Sequence, residues 1–257
     1  MDVTDRTLIA NSSRSGHGLT PVVAASKARL LAELAVGFVL ILFALWTKGW
    51  PQLLLGTVGF GYIFFNSLRR RSTAQQLGLS ITGMARGLWI IGLAVIAAVL
   101  GLWVSVRLGT FHAVFRNHAL EWGFVAYIGW ALVQQFILQD FFLARLLRLT
   151  RTRTVAVLSA GLMFAIAHVP NPVLVIATVV WGTVACTLFL RYRNLYVLAL
   201  AHAILGMCIA VAVPNHLHHH MRVGLGYVHW HASVETAPAS KVISLVPHSG
   251  HRLARTE

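Results

Sequence analysis

Asn194-Leu-Tyr-Val-Leu-Ala-Leu-Ala-His-Ala-Ile-Leu-Gly-Met-Cys-Ile-Ala-Val-Ala-Val213 runs for twenty residues without a formal charge. Coiled as a helix at about 1.5 Å per residue, it reaches about 30 Å, the thickness of a bilayer's hydrocarbon core. A helix on the surface of a soluble domain would show one polar face, whereas this one is apolar all round. Its environment is lipid and other helices. One imidazole, His202, sits inside it.

Six more runs of the same kind precede it, near residues 29–47, 51–67, 87–106, 120–147, 153–170 and 172–190. The fold expectation is therefore all-α: a polytopic transmembrane helical bundle of about seven spans. Residues 28–213 form the transmembrane domain, preceded by a disordered cytoplasmic lead (1–27) and followed by a polar, His-rich tail (214–257). Gly59, Gly61, Gly161 and Gly182 are expected at close helix contacts, where a missing side chain lets backbones approach.

Composition agrees. The 257 residues are 57% hydrophobic and 11% charged, with a mean hydropathy of +0.72, too little charge to clothe a soluble domain. The net charge of +14 raises nucleic acid as a partner. That reading fails because the basic residues form short clusters between apolar runs, where they act as topology signals and meet anionic lipid heads. Arg6, Arg14, Lys27, Arg29, Arg69, Arg70, Arg71, Arg86, Arg145, Arg148, Arg151, Arg153, Arg191 and Arg193 fall on one set of connections. Lys48, Arg107 and Arg116 fall on the other. Fourteen against three predicts a cytoplasmic N-terminus and a C-terminal tail outside, with a bacterial inner membrane as the simplest host.

Neither Cys186 nor Cys208 has a Cys-x-x-Cys partner, so both read as small buried hydrophobes. No charged start, short apolar stretch and cleavage site opens the chain, so no signal peptide is expected. His216, His218, His219, His220, His229 and His231 give the tail its character. Such tracts bind metal weakly without a dedicated site.

Polar side chains within hydrocarbon carry the functional information. The fourth run offers Gln134, Gln135, Gln139 and Asp140, the fifth His168 beside Val169-Pro170-Asn171-Pro172, and the seventh His202. Counted from the inner helix ends, Gln135 lies at about 18 Å, His168 at about 22 Å and His202 at about 12 Å. These depths are compatible, so the three can meet if their helices are neighbours. Gln135 and Gln139, four apart, share a face. The plain alternative is that these groups only bond across helices, worth about 0.6–2 kcal/mol each.

Three motifs stand in order on successive apolar helices: Gln134-Gln135-Phe-Ile-Leu-Gln139, Phe164-Ala-Ile-Ala-His168 and His202-Ala-Ile-Leu-Gly206. The stretch resembles the CPBP group (CAAX proteases and bacteriocin-processing enzymes, the Abi family), polytopic membrane proteins that include the type II CAAX prenyl endopeptidases. Its motifs are Glu-Glu-x-x-x-Arg, Phe-x-x-x-His and His-x-x-x-Asn, and the CPBP-like core would be 120–213. The resemblance implies an intramembrane endopeptidase acting on a membrane-associated or prenylated peptide. It places Gln135 at the general-base position, Gln134 beside it and Gln139 in place of the Arg. His168 and His202 become the retained pair, Phe164 the second-motif aromatic, and Gly206 stands where the family has Asn. Whether the paired His hold a metal is open in that family, so His168 and His202 are also the candidate ligands for a divalent ion.

The departures are chemical. A neutral amide cannot accept a proton near neutral pH. Two imidazoles with two amides make a poor zinc site. Loss of both Glu and of the Arg is self-consistent, since a buried Arg without an anion lacks its partner. Other acids are badly placed. Asp140 lies about 140° around an ideal helix from Gln135, with Arg145 nearby as a partner, and Glu121 is about 20 Å away along the helix. Glu33 follows Arg29 by four residues and reads as an interfacial ion pair. Neutral imidazole is the remaining base. Two functions stay open: an endopeptidase using His168 or His202 to activate water, and a catalytically inactive relative that binds a membrane partner or lipidated peptide. A transporter would show paired broken helices, and only one break, at 169–172, is present.

Overall fold

The computed structural model describes residues 27–70, 73–112 and 119–230. The lead before residue 27, Arg71, Arg116 and the tail from His231 onward lie outside them. The chain is helical: α1 Lys27–Leu45, α2 Trp50–Leu68, α3 Leu88–Leu108, α4 Ala119–Phe136, α5 Ala144–Leu149, α6 Arg153–Ile166, α7 Pro172–Tyr192 and α8 Leu195–Ala212. Two short helices, α9 Asn215–His218 and α10 Gly224–Val228, close it.

Among the described residues four helical stretches are long and apolar enough to cross a membrane: α1, Met84–Leu108, α7 and α8. The other predicted runs are helices too. α6 is shorter, and α2 dilutes its apolar residues with Gln52, Thr57 and Asn66. Large apolar side chains lie exposed along the bundle, Trp50, Leu53 and Val99 among them. In water such a surface would aggregate, while in lipid it is the solvated face.

Local chemistry sets the helix ends. Asn171 and Asn194 cap α7 and α8, each side-chain oxygen accepting from the backbone N–H three residues on (3.1 and 3.0 Å). Pro172 then takes the first helical position, where its missing N–H costs nothing. Thr152 caps α6 in the same way. Gly109, at φ 67°, ends α3 in the left-handed conformation that glycine adopts without strain.

The main packing pairs are α1 with α2, α3 with α8, α4 with α8 and α6 with α7. Gly161 and Gly182 meet across α6 and α7, and Gly59 packs on Leu40 of α1. Gly61 differs from expectation: nothing lies near enough to touch a side chain there. The predicted fourth run is one helix interrupted by a π-helical stretch, Ile137–Leu143, between α4 and α5. This stretch is buried and touches α2, α6 and α7. Phe141, Phe142, Leu138 and Leu143 anchor the core from it, and the Phe141 ring fills the space a side chain at Gly37 would need.

The described part of the predicted tail, 214–230, folds against the bundle. Asn171 donates to the carbonyls of His218 (2.9 Å) and Arg222 (3.0 Å), and Gly224 N–H bonds Val169 O (2.9 Å). The backbone of Gly224, at φ 54°, lies against Leu45 at the end of α1, an approach no side chain would allow. His218 is buried. Its Nε2 donates to Val213 O (2.8 Å) and its Nδ1 accepts from Met221 N–H (3.0 Å). Burial pushes its basicity below that of an ordinary imidazole. Met221 and Val223 reach the wall of a cavity beneath.

Candidate functional site

That cavity has a volume of about 1020 Å³ and lies among α1, α2, α4, α6, α7 and α8. Its wall is mostly aliphatic and aromatic, with Gln134, His168, His202 and Tyr127 supplying polar groups. None of its described lining residues is acidic.

The structure brings most of the predicted site residues together. Gln135 Nε2 lies 3.2 Å from His202 Nδ1, joining α4 to α8 across 67 positions of sequence. Gln139 Nε2 donates to Gln135 Oε1 at 3.2 Å, so the helical face predicted for this pair survives the entry into the π stretch. Both glutamines are fully buried. In this orientation the chain of amides leaves Gln139 Oε1 buried without a hydrogen-bond partner. Turning both amides over keeps both contacts, with His202 Nδ1–H donating to Gln135 and Gln135 donating to Gln139. The direction of this chain decides which nitrogen of His202 carries the proton.

His168 reaches the same cavity from the end of α6, held differently. Its Nδ1 donates to Phe164 O at 2.7 Å, so Nε2 keeps a lone pair. Phe164 stands edge-on to both imidazoles, its ring centroid 4.9 Å from His168 and 5.9 Å from His202. The second-motif aromatic thus touches both imidazoles. Trp181 of α7 closes the other side, 6.1 Å from the His202 ring. Gln134 is half-buried and lines the cavity directly.

Other acids fall elsewhere. The backbone carbonyl of Asp140 accepts from Ser67 Oγ (3.2 Å) and Arg145 Nη1 (3.4 Å), and Asp140 is not among the described residues that line the cavity. Glu33 forms the expected pair with Arg29 and extends it. It binds Arg29 at 3.2 Å, but also Arg70 at 2.8 Å and the buried Arg145 at 3.2 Å, tying α1 to the end of α2 and to α5. Arg145 further stacks its guanidinium 3.8 Å over the Phe141 ring. The Glu121 side chain lies outside the described residues.

A divalent metal needs a lone pair from each imidazole and two more good donors. Among the described residues no group of three or more His, Cys, Asp or Glu converges, and beside the His pair stand only amides. This donor set does not fit a resident metal.

Sequence reasoning missed Tyr127 and Trp181. Tyr127 had a signal, lying seven residues before Gln134 and so on the same face of α4 two turns away. Trp181 had none, because nothing in α7 distinguishes a cavity wall from a lipid-facing side.

Residues 116–208 match the family model described as type II CAAX prenyl endopeptidase Rce1-like. Over that stretch, about a third of its length, the chain is similar to the Rce1-like family. The match contains all three motifs and ends within α8, just past Gly206. Among curated proteins and among solved structures no significant match is found. The matched segment of this apolar helical chain includes Gln135, His168 and His202.

Proposed function

We propose that this protein receives a membrane-associated, lipid-modified peptide in the cavity between α4, α6 and α8 and holds it there without cutting it. The observation that carries this reading is the bond from the buried Gln135 to His202, whose imidazole lines a cavity with no carboxylate among its described lining residues. At the position where the Rce1-like family resemblance puts the water-activating Glu, a neutral amide makes a satisfied contact. It cannot take the proton from water. Cavity size and wall chemistry suit an apolar chain with a short polar segment, the usual pattern of a ligand pocket. The bilayer supplies such ligands, and a bacterial inner membrane with the N-terminus in the cytoplasm fits the distribution of basic residues.

A second reading rests on one separate observation. His168 is fixed with Nε2 as its acceptor beside the cavity, the state required of a general base. In that reading His168 takes a proton from the water that attacks the peptide carbonyl and returns it to the amine that departs as the C–N bond breaks, and the amides only position His202.

One set of variants separates the two. Purified protein in nanodiscs is incubated with a fluorescent peptide in which an S-farnesyl-cysteine is followed by three further residues, and both binding and cleavage are followed. The binding reading expects saturable binding, no cleavage by the parent, and cleavage that emerges in Gln135→Glu. Cleavage by the parent that disappears in His168→Ala replaces it with the second reading.

A further inference from the structure

We infer that the Tyr127 hydroxyl is a ligand-contacting group of this cavity, recognising a carbonyl oxygen of the bound molecule. This inference rests on the cavity being a binding site and names the group that reads the ligand's polar segment.

His202 and Gly206 are four residues apart and share one face of α8. Gly206 has no side chain, and the Tyr127 hydroxyl from α4 fills the space where one would begin; its ring carbons lie 3.0 Å from that point. Any larger residue at 206 would have to push the tyrosine aside. The fit places a phenol hydroxyl one helical turn from the His202 imidazole, about 6 Å along α8. Tyr127, Gly206, His202 and His168 all line the same cavity. The surrounding wall is apolar, and a hydroxyl in such a wall gains most from a ligand acceptor, because little else there competes for its proton.

The ligand's chemistry follows from what stands around the hydroxyl. No described lining residue is a cation that could offset a bound carboxylate or phosphate, and burying an unpaired anion is costly. A neutral acceptor avoids that cost. An amide or ester carbonyl, attached to an apolar chain that fills the rest of the cavity, matches both conditions.

The test uses two ligands of equal length, N-methyldodecanamide and methyl dodecyl ether. Each competes with the farnesylated peptide for the full-length protein in nanodiscs. The parent should prefer the amide about fivefold, the range expected of one hydrogen bond. In Tyr127→Phe, which keeps the ring and removes only the hydroxyl, the amide-to-ether ratio should fall to about one. Gly206→Ala, which displaces the hydroxyl, should lower the ratio likewise. If that variant does not fold, Tyr127→Phe carries the test alone. A tyrosine serving only to pack the helices would weaken both ligands equally and leave the ratio unchanged. An unchanged ratio in Tyr127→Phe, or no preference in the parent, overturns the inference and leaves the cavity reading standing. Failure of either ligand to displace the peptide removes both.

Discussion

Two buried polar clusters lie at either end of the same π-helical stretch, and they are built on opposite terms. Beyond its C-terminal end, Arg145 joins Arg70 and Arg29 around the single carboxylate of Glu33, a charged knot linking α1, α2 and α5. At its N-terminal end, Gln139 and Gln135 lead to His202 through neutral hydrogen bonds, linking α4 to α8. The chain can therefore bury an ion pair where it has the partners for one. Neutrality at the cavity is a local property of that site. The difference also divides labour: the charged knot fixes helix positions, and the uncharged cluster borders the space available to a ligand.

The comparison breaks most visibly at Glu33. Replacing it with Ala leaves the buried Arg145 and the partly buried Arg70 without their carboxylate, at a cost of about 3–5 kcal/mol. Thermal unfolding in detergent should show a large loss, and a small one would mean that the knot is not structural. Gln135→Leu strips the partner from His202 Nδ1 and from Gln139 and should cost about 1–3 kcal/mol, less than the charged lesion in the same assay. Parity between the two would erase the distinction between charged and neutral junctions.

The third junction, the cap around His218, sharpens the contrast through pH. His218 is neutral in the fold, with Nδ1 accepting from Met221 and its basicity lowered by burial. The unfolded chain regains an ordinary imidazole, with a pKa of about 6.5. It then binds protons more readily than the folded form as pH drops, so stability is full above about pH 6.5 and declines below it. Backbone hydrogen exchange in 214–230 should speed up between pH 7.5 and 5.5, and a His218→Gln variant should lose most of that acceleration. The smallest effect belongs to Arg29→Ala. This side chain is 58% exposed, and Glu33 keeps two other arginines, so the change should stay within about 0.5 kcal/mol.

Legibility followed the range of the interaction. The helical runs could be read because hydropathy accumulates residue by residue along one segment. The shared face of Gln135 and Gln139 could be read because a helix repeats every few residues. The pair of Glu33 with its i, i+4 neighbour Arg29 could be read, whereas its further partners Arg70 and Arg145 could not, since they arrive from 37 and 112 positions away. Asp140 was judged on ideal α-helical geometry, and the π stretch that contains it changes the turn. Tyr127 stayed hidden because its significance depends on the absence of a side chain at 206, on another helix.

The amino-acid order by itself determined that this chain is a bundle of apolar helices and which polar groups lie among them. It also supplied the stretch 116–208 that is similar to the Rce1-like family. Only the tertiary structure decided that Gln135 bonds His202, that Phe164 meets both imidazoles edge-on, and that Met221 and Val223 from beyond α8 line the cavity. The reason is physical. Transfer to lipid depends on each segment's own composition, whereas partnership between helices depends on how each is turned about its axis. Packing fixes that rotation, and no single segment encodes it.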